Sequence, residues 1–436
     1  MDLNGLHATV IPLTGWAADR FGTKRLYMTS IILFLAGSAL SGAAWSMPSL
    51  ILFRIIQGLG GGMIMPAGMI ILNHAAGPRR IGRLMGIIGV PMLLAPICGP
   101  VLGGWLVDNV SWRWIFFVNL PVGAIALAAA WKVFERDEPG PHRRLDLTGL
   151  LLLSPGLAIF VFGLARIAAA GNFSSTSGDA CAIAGLLLTA AFLFHAARHH
   201  DPLIDVRLFT GRTVGASALT TFLFASAFFG ISLLLPLYFQ LVRGETAFGA
   251  GLLQAAQGLG AMISMPLAAR LTDRIGAGKV VLAGLACIAV GTLFLSRIES
   301  TTPFVIIEPM LFLLGLGMGA TMMPAMSAAM RTLQRHQVAR ATSGLNVVQR
   351  VGGSIGTTLL AVVLTHQMSR VAPLPAGPAV TDALQQTRLS DLSHAFGNTF
   401  LWAFLITLLA VCAALFLPRT NSAPAHRTAP SRPASE

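Results

Sequence analysis

The stretch "AADRFGTKR" (17–25) returns 254 residues later as "LTDRIGAGK" (271–279), and this recurrence decides the fold. Each copy holds an Asp-Arg pair, a glycine three residues after the aspartate and a closing cation, wedged between apolar stretches. A second pair keeps the same order at nearly the same spacing: "GLGGGMIMPA" (58–67) and "GLGMGATMMPA" (315–325), about 257 apart. Two motifs recurring in order at one spacing imply a duplicated unit, hence two similar helical bundles.

Between the motifs the chain is a string of apolar runs. Of its 436 residues 55% are hydrophobic and 11% charged, with mean hydropathy +0.73. A water-soluble domain carries about a quarter charged residues. A run of about 20 apolar residues crosses the hydrocarbon as a helix. Twelve such spans are expected, near 26–45, 49–72, 84–107, 114–133, 147–167, 178–197, 214–238, 247–269, 280–296, 304–328, 342–365 and 397–417. The spans at 147–167 and 178–197 have no partner in the repeat and read as an inserted hairpin. The expected fold is an all-α polytopic membrane protein. It divides into an N-terminal bundle (1–133, incomplete at its start), a linker carrying the hairpin (134–213), a C-terminal bundle (214–417) and a disordered tail (418–436). The segment 366–396, with several prolines, reads as a long outer loop.

Charge gives the orientation. With the 17–25 loop inside, alternation puts 22 Lys and Arg inside and six outside, leaving Arg54 and Arg350 within spans. That is the positive-inside bias of a bacterial cytoplasmic (inner) membrane protein with a cytoplasmic C-terminus. The net charge of +13 forms no stripe with interleaved aromatics, which argues against nucleic acid. Cys98, Cys181, Cys287 and Cys412 lack metal-type spacing and read as packing residues. There is no Walker loop and no HExxH motif. His199 and His200 stand beside Asp201 without further ligands and read as solvated. No enzyme chemistry, ATP drive, metal or cofactor is expected.

Several segments together resemble the major facilitator superfamily, in its fourteen-helix drug:proton antiporter branch (EmrB/QacA type). They are the Gly15–Arg25 loop, "RIIQG" (54–58), "APICGPVLGGW" (95–105), "SWRWIFFVNLPVG" (111–123) and "LPLYFQLVRGETAFGAGLL" (235–253). The resemblance runs from about residue 10 to 417. It implies that the first loop follows helix 2. Helix 1, with its usual acid, and part of helix 2 are then expected to be absent from this sequence. It also implies that Gly15, Asp19, Arg20, Gly22, Lys24 and Arg25, echoed by Asp273 and Arg274, latch the outward-facing state. Asp19 would sit at an electropositive helix start near Thr342.

Arg54 and Gln57, three apart, share a helix face. An arginine within a span needs a cavity or a partner, or else snorkels; the resemblance implies proton coupling. Gly89, Pro96, Gly99, Pro100, Gly103 and Gly104 make a kinked, closely packing helix suited to the seam between rocking bundles. The span "GAGLLQAAQGLGAMISMP" (249–266) is a candidate to face it. Arg350 beside "GGSIG" and Glu308 near an outer helix end are weaker candidates for coupling, against helix packing and an interfacial position.

The expected function is export of small amphipathic or toxic compounds by proton antiport and alternating access, with the proton gradient as energy source. The expected partners are a small-molecule substrate and membrane lipid, with a periplasmic adaptor left open, and the chain is expected to be a monomer. Two alternatives stay open: a non-transporting remnant or scaffold, and an importer on the same fold.

Overall fold

The computed structural model describes residues 16–18, 20–134, 146–170, 176–199, 202, 204–330, 333, 335–371 and 382–418. The side chains of 69, 70, 72–96, 176, 335–340 and 343 lie outside that description. The helices are α1 Thr23–Gly42, α2 Met47–Asn109, α3 Trp114–Phe117, α4 Asn119–Val133, α5 Leu147–Ala170 and α6 Thr176–Arg198. They continue as α7 Arg212–Leu241, α8 Ala247–Ile275, α9 Ala277–Leu295, α10 Phe304–Met330, α11 Arg335–Met368 and α12 Asp382–Ala414. No strand occurs among the described residues, as hydrocarbon requires of a chain that cannot close a barrel.

Eleven stretches are long and apolar enough to cross a membrane, and they coincide with eleven of the expected spans. The twelfth, 84–107, falls within α2, a helical run of 63 residues. A straight helix of that length would span about 95 Å. Yet the Arg113 guanidinium, just past its end, donates to the Ala44 carbonyl, just before its start, at 3.0 Å. The run therefore doubles back and crosses twice.

The duplication is repeated in the packing. Gly37 lies against the Gln57 backbone in the N-terminal half, and Gly291 lies against Leu314 in the C-terminal half. Gly60 meets Ser30 and Phe34; Gly317 meets Gly284 and Ile288. The second member of each pair is the first displaced by the repeat spacing, so α1 on α2 and α9 on α10 share one register. The loops agree too. Gly22 has φ 85° and ψ 144°, and Gly276 has φ 92° and ψ 147°. Side chains rarely tolerate that region. Gly276→Ala should therefore cost about 1–3 kcal/mol, read as a lowered melting temperature. Gly278→Ala, at the second residue of α9, should act differently, by pushing on the Pro418 carbonyl.

Two expectations need correction. The 366–396 segment is not one loop, because α12 begins at Asp382 and buries Leu392, Ala395 and Phe396. Its prolines all lie before that helix, and its polar residues hid it from a hydropathy reading. The helix expected to start near Thr342 starts at Arg335. Thr342 is two turns inside α11, where its hydroxyl meets the Met330 sulfur.

The hairpin α5–α6 sits on the C-terminal half, with α5 against α11. A cavity of about 420 Å³ opens between them, lined by Leu157, Phe192, Ile204, Phe209, Val347 and Val351 among others. Its lining is nearly all hydrocarbon, and the Thr189 hydroxyl at its wall is already bonded to the Gly185 carbonyl at 2.8 Å.

Candidate transport site

The two halves meet where the last part of α2 runs antiparallel to the first part of α8. Gly104 lies against the Ala247 carbonyl, Gly251 against the Pro100 carbonyl and Gly258 against Ile97. A side chain at any of the three would collide with the opposite helix. Gly99 and Gly103, on the same α2 segment, face open space. Gly89 and Pro96 fall on helical backbone whose side chains lie outside the described residues.

Beyond the glycines an acid fastens the seam. Asp108 Oδ2 accepts from the Phe248 N–H at 2.6 Å, and Oδ1 accepts from the Ala247 N–H at 3.3 Å. The Thr246 hydroxyl accepts from the Gly249 N–H at 3.1 Å. The first three N–H groups of α8, which have no partner within the helix, are thus satisfied, two of them from across the seam. The Phe248 N–H in particular holds the Asp108 carboxyl below its usual range.

A lowered carboxyl pKa stabilises above the ordinary carboxylate pKa and fails as pH falls through the lowered value. The clasp should therefore persist from about pH 8 to 5 and release only in stronger acid. Ile97 faces this seam, against Gly258 of α8. In a cysteine-free variant carrying Ile97→Cys, labelling by an impermeant maleimide, divided by that of the unfolded chain at the same pH to cancel the thiolate content, should stay flat over this range. Asp108→Ala should raise it throughout.

The second cluster lies inside the N-terminal half. Arg54 Nη1 donates to Gln57 Oε1 at 3.0 Å, and Gln57 Nε2 donates to Ser38 Oγ at 2.6 Å. Asn119 Nδ2 also reaches Ser38 Oγ, at 3.3 Å. The Arg54 guanidinium lies 5.2 Å from the centre of the Phe116 ring. Gln57 and Ser38 are buried, so three elements of this half, α1, α2 and the α3–α4 corner, close around one charge. The pairing of Arg54 and Gln57 was legible from their spacing; Ser38 and Asn119 were not singled out.

The model of the Major Facilitator Superfamily matches residues 5–357. The chain belongs to that superfamily. It is 44% identical over 447 residues to the multidrug resistance protein B homolog of Mycobacterium tuberculosis, covering 97% of this chain and 82% of that one. It is 31% identical over 357 residues to the multidrug export protein EmrB of Haemophilus influenzae, covering 81% and 70%. Among solved structures it is similar in fold to an autoinhibited POT-family peptide transporter, with TM-score 0.66, 19% identity and coverage of 97% and 89%. A D-xylose–proton symporter gives TM-score 0.59, 14% identity and coverage of 96% and 87%. The chain is a multi-pass membrane transporter of the superfamily, with two pseudo-symmetric bundles and an inserted hairpin.

Several residues that the superfamily resemblance marked lie elsewhere. Gly15 and Asp19 are outside the described residues. Arg20 stacks over Trp16 at 5.7 Å, and Lys24 donates to the carbonyls of Trp131, at 2.9 Å, and Phe134, all within its own half. Arg25, Asp273 and Arg274 are exposed. Glu308 is also exposed, in the second turn of α10. Around Arg350 the "GGSIG" glycines serve packing: Gly352 and Gly356 lie against α7, whose Ser226 hydroxyl donates to the Gly352 carbonyl at 2.8 Å.

His199 is not isolated as its neighbours in sequence suggested. It extends α6 by one residue and stands beside His195 and Asp146. The missing partners were one helical turn and 53 residues away.

Proposed function

We propose that the chain is a proton-coupled exporter of small amphipathic compounds, in the fourteen-helix branch of the superfamily. The observation that carries the reading is the Arg54–Gln57–Ser38–Asn119 network. By the repeat spacing its first three positions correspond to Leu311, Leu314 and Thr292, all buried in the C-terminal half. A half-buried guanidinium kept in one half, where the other has leucine, is costly within a span as packing alone, and it suits a site where a proton or cationic substrate is exchanged. The names of the two relatives support drug-like cargo. The hairpin Leu147–Arg198 between the halves supports the fourteen-helix branch.

In this reading the α2–α8 seam closes the outer side. Substrate enters from the cytoplasm or the inner leaflet to a midplane site between the bundles. The glycine turns at 22 and 276 carry the rocking movement. Everted vesicles containing the chain tightly test the proposal. On energisation with an acid lumen they should accumulate a cationic dye, and a protonophore should collapse the accumulation. No dye movement with correctly folded protein would favour a non-transporting role. Movement in the opposite sense would make it an importer.

A further inference from the structure

We infer that Asp146, His195 and His199 form a binding site for one divalent transition-metal ion of the zinc class, at the base of the hairpin. His195 and His199 are one turn apart and share a face of α6. Their rings are 5.0 Å apart, centre to centre. Asp146, the residue before α5, comes up from the other arm and places Oδ1 2.9 Å from His195 Nε2. One donor atom from each residue lies within 4.8 Å of the other two. An ion with ligand bonds of about 2.0–2.1 Å holds its donors no more than ~4.2 Å apart. Small side-chain rotations therefore close the set.

Two imidazoles and one carboxylate suit zinc, cobalt, nickel or copper. Magnesium and calcium prefer all-oxygen shells. The carboxylate is buried and already oriented, because the Gly149 N–H donates to Asp146 Oδ1 at 2.8 Å. That hydrogen bond is the outer-shell support a ligating carboxylate needs. His195 is 22% exposed and His199 exposed, so the remaining coordination position opens to solvent. On binding, the ion takes the place of the direct His195–Asp146 contact. The ion then ties the first residue of the hairpin to its last turn, at the mouth of the apolar cavity's walls.

The test uses the full chain in detergent, with the affinity tag removed and metal stripped by a chelator, titrated calorimetrically with Zn²⁺ at neutral pH. One equivalent should bind. His195→Ala with His199→Ala should weaken it by more than the ~10–100-fold that loss of an outer-shell partner costs. Asp146→Asn keeps an acceptor for Gly149, so it should lose affinity without losing the fold, while His394→Ala on α12 should change nothing. Co²⁺ should give the visible absorption of a four-coordinate nitrogen–oxygen site. Absence of saturable Zn²⁺ binding, or binding unchanged in the double variant, overturns the inference.

Discussion

Gly251→Val should force α8 away from α2 and abolish tight closure of the seam. Its Cβ would fall on the Pro100 carbonyl, a backbone atom that cannot rotate aside. Overpacking of this kind costs about 1–3 kcal/mol. Spent against one of two conformations, that shifts the population by roughly 5–150-fold. Labelling of a cysteine placed at Ile97 from the outer side should rise accordingly, and dye export should fall by at least about fivefold. Gly103→Val is the internal control. It makes the same chemical change on the partner helix but meets nothing within 4 Å, and it should leave both readouts near the parent's. Equal effects at Gly103 and Gly251 would mean that helix propensity, not the seam, is responsible.

The second large effect is expected at Arg54. Arg54→Ala removes the donor to Gln57 Oε1 and leaves a buried amide short of a partner, at a cost of about 1–3 kcal/mol. The bundle should still fold, since Gln57 keeps Ser38. Gradient-driven export should nevertheless drop by about a hundredfold or more, while substrate binding in the absence of a gradient stays measurable. Arg54→Lys should recover only part of this, because an ammonium lacks the planar fork that reaches Gln57 while lying on Phe116. Full gradient-driven export by Arg54→Ala would remove this residue from coupling.

Much of the scaffold was legible because lipid imposes simple rules. Apolar length gave eleven of the spans directly. The repeated "DRxG" and "GLG" motifs pointed to two similar bundles; Gly22 and Gly276 share one positive-φ backbone conformation, and Gly60 and Gly317 make matching contacts. What escaped reading depends on distance in sequence. Ser38 is an ordinary small residue in an apolar run until Gln57 and Asn119 converge on it. Asp108 looks like a loop acid until α8 presents its bare N–H groups 139 residues later. Asp146 and His195 are 49 residues apart and meet because the hairpin closes. Helix 382–396 was missed for a different reason: its exposed face is polar, so hydropathy took it for loop.

The register shared by α1–α2 and α9–α10 makes the two halves equal as levers. Their electrical content differs. Where one half holds a half-buried guanidinium with a buried amide and hydroxyl, the other buries two leucines and a threonine. Each half keeps one arginine within a span, Arg54 in the first and Arg350 in the second, at positions that the repeat does not relate, so under the proposed coupling a gradient would act on different points of the two levers. The duplication supplied one scaffold twice over, and divergence moved the charge to a different place in each copy.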